Sequence, residues 1–335
     1  MSDKVAVIGA GSWGTTVASL TVANAPTVLW ARDPDLAAAV CIEHVNHRYL
    51  ADRLLPVELV ATHRLADAVA GATLVVMAVP SHGFRAVATQ LASLLVPGTP
   101  VLSLTKGLER GSQLRMTEVL ADVLPECPSG VLTGPNLASE VAAGQPTAAV
   151  VALADEAMAC RVQQLLMSPT FRVYTSHDVA GCEIAGALKN VLAVAAGISD
   201  GLGFGDNTRA ALITRGLAEM GRLGVRLGGD RMTFAGLAGV GDLVATCTSP
   251  RSRNRMVGLA LGQGRTLDDI LAEMTMVAEG VKTARPMVEL AASYDVEVPI
   301  AAQVADLLEG ARGPAEAIAA LMDRPVSSEF PGDPR

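Results

Sequence analysis

The chain has 335 residues, half of them hydrophobic and only 18% charged, which is length enough for two domains and describes a well-buried globular protein. A formal net charge of −8 argues against general binding to nucleic acid or to anionic membranes, so any basic cluster should be local and directed at a small anion. The five cysteines (Cys41, Cys127, Cys160, Cys182 and Cys247) are odd in number and form no CxxC pair, which predicts free thiols in a reducing compartment and a cytoplasmic location.

Residues 4–14, KVAVIGAGSWG, set a short β-branched run against Gly9, Gly11 and Gly14, and a helix-compatible stretch follows at once. Strand, tight turn and helix in that order form a dinucleotide site. Gly9 permits the turn, Gly11 lets the backbone approach a pyrophosphate, Gly14 lets helix pack on strand, and the first helical N–H groups face the phosphates. Ala23-Asn24-Ala25 superficially resembles a secretory cleavage site, but cleavage there would remove the turn that explains the glycines. Uninterrupted apolar runs of membrane-spanning length are missing elsewhere, and no stable membrane insertion is expected.

As far as about residue 175, the apolar runs VAVI, TVLW, LVVMAVP, VLSLT, GVLTG, TAAVVA and FRVYT alternate with helical stretches, the pattern of a mostly parallel sheet in an α/β fold. After Asp178 long helical segments take over, near 180–198, 207–225, 252–262, 267–274, 280–294, 300–310 and 314–323. The chain thus divides into a Rossmann-type domain, 1–178, and an all-helical domain, 179–324, with a disordered tail at 325–335. Asp206 or Asn207 is placed as an N-cap. Cys41, His44 and His47 lack a fourth ligand, and no metal is expected.

Candidate chemistry concentrates in a few places. The segment Cys182 to Ile198 is apolar around its whole circumference except for Glu183, Lys189 and Asn190. Lys189 lies in the stripe of Cys182, Ala185, Leu192 and Ala196; it is either a desolvated general acid or base, or a lysine snorkelling to the domain surface. Arg251, Arg253 and Arg255 alternate where Ser249 or Ser252 can cap a helix, which is either a phosphate site or a solvated basic turn. At the end of the second strand, Arg32 suits a 2′-phosphate and Asp33 suits either a ribose hydroxyl or the cap of the next helix.

With these residues placed, the chain resembles bacterial NAD(P)-dependent glycerol-3-phosphate dehydrogenases. The likeness runs from Lys4 to about Met322 through GAGSWG, NHRYLADRLLP, VPSHGFR, LSLTKGLE, LTGPNLASEVAAG, EIAGALKNVLAVAAGISDGLGFGDNTRAALITRG, GLAGVGDLVATC, SRNRMVG and AEGVKTA. It implies hydride transfer between NADPH or NADH and C2 of dihydroxyacetone phosphate, giving sn-glycerol 3-phosphate for phospholipids. On the family pattern Lys189 exchanges the proton at the C2 oxygen, Lys106 and Asp242 polarise and orient the reacting groups, and Asn190 and Thr246 support them. The pattern assigns the substrate to Lys106, Gly134, Asn136, Lys189, Asp242, Ser252, Arg253 and Asn254. It assigns the cofactor to Gly9, Gly11, Ser12, Trp13, Gly14, Arg32, Lys106, Ala138, Arg253, Val277 and Glu279. Asn136 departs from the hydroxyl residue the family often carries there. A homodimer acting on a small phosphorylated substrate, without nucleic acid, is expected.

Two other readings compete. A related hydroxyacid dehydrogenase, of ketopantoate or hydroxyisobutyrate type, would share the glycine turn and a helix lysine but would not need the SRNR cluster. A non-enzymatic nicotinamide sensor would leave Lys189-Asn190 without a purpose.

Overall fold

The computed structural model describes residues 3–274, 276–325 and 329. Among the described residues there are ten strands: β1 (Val5–Ile8), β2 (Thr27–Trp30), β3 (Val45–Asn46), β4 (Leu50–Leu54), β5 (Val60–Thr62), β6 (Leu74–Met77), β7 (Val101–Ser103), β8 (Ser129–Thr133), β9 (Thr147–Leu153) and β10 (Phe171–Ser176). Eight form one sheet in the order β10-β9-β8-β7-β6-β1-β2-β5, and β3 and β4 form a separate hairpin. Every pairing in the large sheet is parallel except β8 with β9.

Parallel strands covered on both faces must be apolar on both faces, and β1 meets that demand with four fully buried residues. Val5 and Val7 enter the core on one side of the sheet, while Ala6 and Ile8 enter the core on the other. β1 pairs with β2 on one edge (Val5 opposite Thr27) and with β6 on the other (Val5 opposite Leu74). Strand order therefore reverses at β1, and the crevice beyond its carboxyl end is where such sheets hold ligands.

The rest of the core is helical and built around Val179–Gly201, a 23-residue helix in which Asp178 is the N-cap and accepts from the Gly181 N–H at 2.8 Å. Among the described residues it is the one helix long and apolar enough to cross a membrane, yet 83% of its most apolar window is buried within the protein. The helix Arg253–Gly262 lies directly on it. The contact is backbone on backbone, since a Cβ on Gly258 would sit 2.0 Å from the Val194 carbonyl oxygen and one on Gly197 would sit 2.0 Å from that of Arg255. Glu183 ties the long helix to the sheet layer, accepting from the Thr117 N–H at 2.9 Å and from Arg115 at 3.1 Å.

The predicted strands and long helices are present, with ends that match or shift by up to three residues. The hairpin β3–β4, strand β5, the helix Arg231–Ala235 and the π-helical turn Leu237–Gly241 were not read from the sequence. Asp206 and Asn207 are not N-caps: Gly205 holds that position, and Asp206 pairs with Arg209 at 2.6 Å. The expected tail, 325–335, lies outside the described residues apart from Pro325 and Glu329.

Candidate active site

The glycine turn has the geometry its spacing predicts. Gly9 has φ of +116°, and a Cβ there would come within 2.7 Å of the Ala78 carbonyl oxygen. A Cβ on Gly14 would come within 1.9 Å of the Gly9 oxygen, so helix Ser12–Thr21 closes tightly on β1. Gly11 has nothing among the described residues within 4 Å of an added Cβ. The turn is fastened by a residue to which the sequence reading gave no role: Asn46, fully buried on the hairpin, donates to the Ala10 carbonyl at 2.9 Å and meets Thr15 Oγ1 at 2.8 Å.

The other cofactor candidates surround this turn. Ser12 opens its helix and contacts Met276 Sδ at 4.0 Å, so the loop that also carries Val277 reaches over the glycines. Trp13 packs on Phe171 with ring centroids 6.2 Å apart, and its buried Nε1 has no partner among the described residues. Ala138 starts a helix whose first carbonyl accepts from Thr16 Oγ1 at 3.4 Å. Arg32 is exposed at the end of β2, and Asp33 is the N-cap of Pro34–Ile42, accepting from the N–H groups of Asp35 and Leu36. An open backbone cradle at a helix N-terminus, rimmed by an unpaired indole N–H and an arginine, fits a dinucleotide.

The second half of the site is a buried charge cluster. Lys106 comes from the loop after β7, Lys189 from the long helix, and Asp242 from the helix Asp242–Thr248 that follows the π-helical turn. Asp242 is 2% exposed and takes both ammoniums, Lys189 on Oδ1 at 2.6 Å and Lys106 on Oδ2 at 2.7 Å. Lys189 also meets Thr246 Oγ1 at 2.7 Å, and that hydroxyl donates to the Asp242 carbonyl at 2.6 Å. Lys106 further donates to the Gly134 carbonyl at 3.0 Å and to Asn136 Oδ1 at 2.8 Å. Lys189 is 6% exposed, so it does not snorkel.

Burial pushes the Lys106 ammonium down to about 8, with Asp242 pulling it up and Lys189 pushing it further down. Burial raises the Asp242 carboxyl, but Lys106 and Lys189 outweigh it and hold the group below the ordinary carboxylate range. Two ammoniums share one carboxylate, so the cluster carries net positive charge. Beside it, Asn136 Nδ2 is a buried donor without a partner among the described residues. Such a site is poised to receive an oxyanion.

The three arginines separate into different roles. Arg251 pairs with Glu140 at 3.2 Å and Arg255 with Asp200 at 2.6 Å. Arg253 is solvent-exposed and has no ion pair among the described residues. It heads a ten-residue helix whose N-cap is the buried Ser252, accepting from the Arg255 N–H at 3.3 Å. A free guanidinium at a helix N-terminus is an anion site. Asn254 is buried with its carboxamide turned inward, toward Asn190 and Gly280. Glu279 accepts from the Ser81 N–H at 3.1 Å and from Ser81 Oγ at 2.6 Å, which binds the helical half to the sheet half beside the Lys106 loop. Ser81 and Gly280 carried no sequence signal of such a role.

A glycine turn at the switch point of a parallel sheet, closed over by a helical half that supplies a buried lysine–carboxylate cluster, defines a dinucleotide-dependent dehydrogenase. Comparison with known proteins agrees. The profile for the N-terminus of NAD-dependent glycerol-3-phosphate dehydrogenase matches residues 4–159, and that for its C-terminus matches residues 178–319. The chain belongs to this family. It is 53% identical over 329 residues to a glycerol-3-phosphate dehydrogenase [NAD(P)+] of Sphingopyxis alaskensis, covering 98% of this chain and 99% of that one. It is 50% identical over 330 residues to that of Thermobifida fusca, covering 97% and 98%. The crystal structure of glycerol-3-phosphate dehydrogenase from Coxiella burnetii superposes with a TM-score of 0.92 at 40% identity, over 96% of this chain and 99% of that one.

Proposed function

We propose that the chain interconverts dihydroxyacetone phosphate and sn-glycerol 3-phosphate with NADPH or NADH, and so supplies a precursor of phospholipids. The observation that carries this reading is the buried Lys106–Asp242–Lys189 cluster, which is net positive; Arg253, at a helix N-terminus, precedes Asn254, whose side chain is linked through Asn190 to the Lys106 backbone. A nicotinamide held by the glycine turn would supply the hydride exchanged at C2. Lys189 delivers the proton to the C2 oxygen during reduction and takes it back during oxidation, because its Nζ is held on Asp242 and Thr246 with a third donor position to spare. Lys106 and Asn136 Nδ2 hold the same oxygen and its neighbours, and Gly134 holds Lys106 through its carbonyl. Asn190 steadies the Lys106 backbone, accepting no charge itself.

The substrate phosphate rests on Arg253 and on the first-turn backbone of the helix capped by Ser252, where Asn254 offers its N–H rather than its inward-turned side chain. Gly9, Gly11, Ser12, Trp13 and Gly14 would cradle the dinucleotide, Arg32 would offer its guanidinium to a 2′-phosphate, and Ala138, Val277 and Glu279 would hold the remainder. The same reading divides the chain into a nucleotide domain, 1–178, and a helical substrate domain, 179–324. A cytoplasmic homodimer completes it, supported on the compartment by five free cysteines. The test mixes purified protein with NADPH and dihydroxyacetone phosphate and follows nicotinamide oxidation. Turnover that is as fast with unphosphorylated dihydroxyacetone would overturn the assignment of substrate.

A further inference from the structure

Asn254 lies one residue beyond the anion-binding Arg253, but its carboxamide belongs to a different assembly. Gly280 N–H donates to Asn254 Oδ1 at 2.9 Å, Asn254 Nδ2 donates to Asn190 Oδ1 at 2.8 Å, and Asn190 Nδ2 donates to the Lys106 carbonyl at 2.9 Å. The direction of this chain is forced from both ends. A backbone N–H can only donate, so oxygen of Asn254 must face Gly280; a carbonyl can only accept, so nitrogen of Asn190 must face Lys106. Each amide then presents its other end to its neighbour in the one orientation that pairs.

The chain is also inaccessible. Asn190 and Asn254 are 5% and 7% exposed, and a Cβ on Gly280 would stand 2.4 Å from the Asn190 carbonyl oxygen, so the first turn of helix Glu279–Ser293 rests directly on the long helix. Buried amides that are all satisfied with one polarity are rigid, and reversing any member leaves two acceptors or two donors face to face. The assembly ends on the residue whose ammonium touches Asp242, Asn136 and Gly134. We infer that Asn254 is a positioning residue: through Asn190 it fixes the Lys106 loop, and through Gly280 it couples that loop to the helix whose Glu279 grips Ser81.

The inference rests on the dehydrogenase reading for its kinetic test and on hydrogen exchange for an independent one. Asn254→Leu keeps the branched shape and removes the pairing. It should lower kcat by about tenfold to 100-fold, the loss expected from slight misplacement of a reacting group. KM for dihydroxyacetone phosphate should stay within about twofold of wild type, and unphosphorylated dihydroxyacetone should lose the same factor in rate. Because the effect passes through Asn190, the double variant Asn190→Leu/Asn254→Leu should be no slower than Asn190→Leu alone. Amide exchange over residues 104–108 should quicken by about tenfold in Asn254→Leu without any substrate present. If Asn254→Leu does not fold, Asn254→Asp keeps the bond from Gly280 and sets an oxygen against Asn190 Oδ1, and it should give the same results with the unphosphorylated substrate. A rise in KM confined to the phosphorylated substrate, or additive losses in the double variant, would overturn the inference. Wild-type protein that turns over neither substrate would refute the dehydrogenase reading alone, and unchanged exchange over 104–108 would then refute the positioning role.

Discussion

Replacing Lys189 by Met removes one ammonium and keeps the length of the side chain. In the intact site that ammonium donates to Asp242 at 2.6 Å and to Thr246 at 2.7 Å. Its loss leaves Asp242 paired with Lys106 at 2.7 Å, so the buried carboxylate remains neutralised and the excess positive charge disappears. The fold should therefore tolerate Lys189→Met, whereas Asp242→Asn strands two buried ammoniums and should cost about 3–5 kcal/mol of stability. Chemistry should respond in another proportion. Loss of the proton donor at the C2 oxygen should slow turnover by about 100- to 10,000-fold, a barrier increase of roughly 3–5 kcal/mol. The assay pairs the rate of NADPH oxidation with NADPH binding followed by fluorescence and with a thermal melt. Normal cofactor binding, a melt close to wild type and a collapsed rate are expected for Lys189→Met. Turnover within about fivefold of wild type would show that another group protonates the oxygen and would refute the mechanism.

Arg253→Ala should raise KM for dihydroxyacetone phosphate by roughly 10- to 150-fold, the worth of a charge-assisted contact of about 1.5–3 kcal/mol, and should leave the rate with unphosphorylated dihydroxyacetone almost unmoved; equal losses on both would place the phosphate elsewhere. Lys106 is held at about 8 and is cationic below that value, so kcat/KM should fall as pH rises through 8, and Lys106→Arg should abolish that limb of the profile. The sign for stability is opposite: the unfolded chain keeps this proton above pH 8 when the folded one has released it, so this group makes the fold more stable as pH rises from 8 toward the ordinary lysine value, and the melt difference between wild type and Lys106→Met should narrow over that window. Arg32→Ala should weaken NADPH more than NADH, as read from both dissociation constants; an equal loss would mean that the guanidinium stacks on the adenine instead of meeting the 2′-phosphate.

What the sequence revealed and what it hid follow from the range of the interactions. The glycine turn is local, its strand, turn and helix lie within eighteen residues, and Gly9, Gly11 and Gly14 behave as their spacing requires. Lys189 was conspicuous because a charge in an otherwise apolar helix breaks a pattern. The partners that make it chemical are not local: Asp242 is 53 residues away and Lys106 reaches Asp242 across 136. No periodicity reports such distances, and only the family likeness brought Lys106 and Asp242 to the same place. The arginine fork shows the converse failure. Arg251, Arg253 and Arg255 alternate in sequence, where only Arg255 stands apart as lying further into the helix, and what distinguishes them is whether a carboxylate stands opposite, as Glu140 and Asp200 do for two of the three. One missed signal was legible: Gly197 and Gly201 on one helix and Gly258 and Gly262 on another, each pair four apart, are the pattern of helices packed backbone to backbone. That packing carries Asn254 to Asn190.

A core that holds two ammoniums against one carboxylate is out of balance by itself: burial lowers the Lys106 pKa first, and the Lys189 ammonium pushes it down further against the pull of Asp242. The imbalance has a direction. Charge that develops on the C2 oxygen during hydride transfer arrives where the excess positive charge already is, and the unpaired Asn136 Nδ2 adds a donor that needs no reorganisation to meet it. Binding a ketone, whose oxygen is only partly negative, recovers less of this interaction than the transition state does, so the cluster favours the reaction over the complex. Asp242 sets how far that goes: without it the two buried ammoniums would have no counter-charge, and a second carboxylate would cancel the field that the substrate oxygen meets.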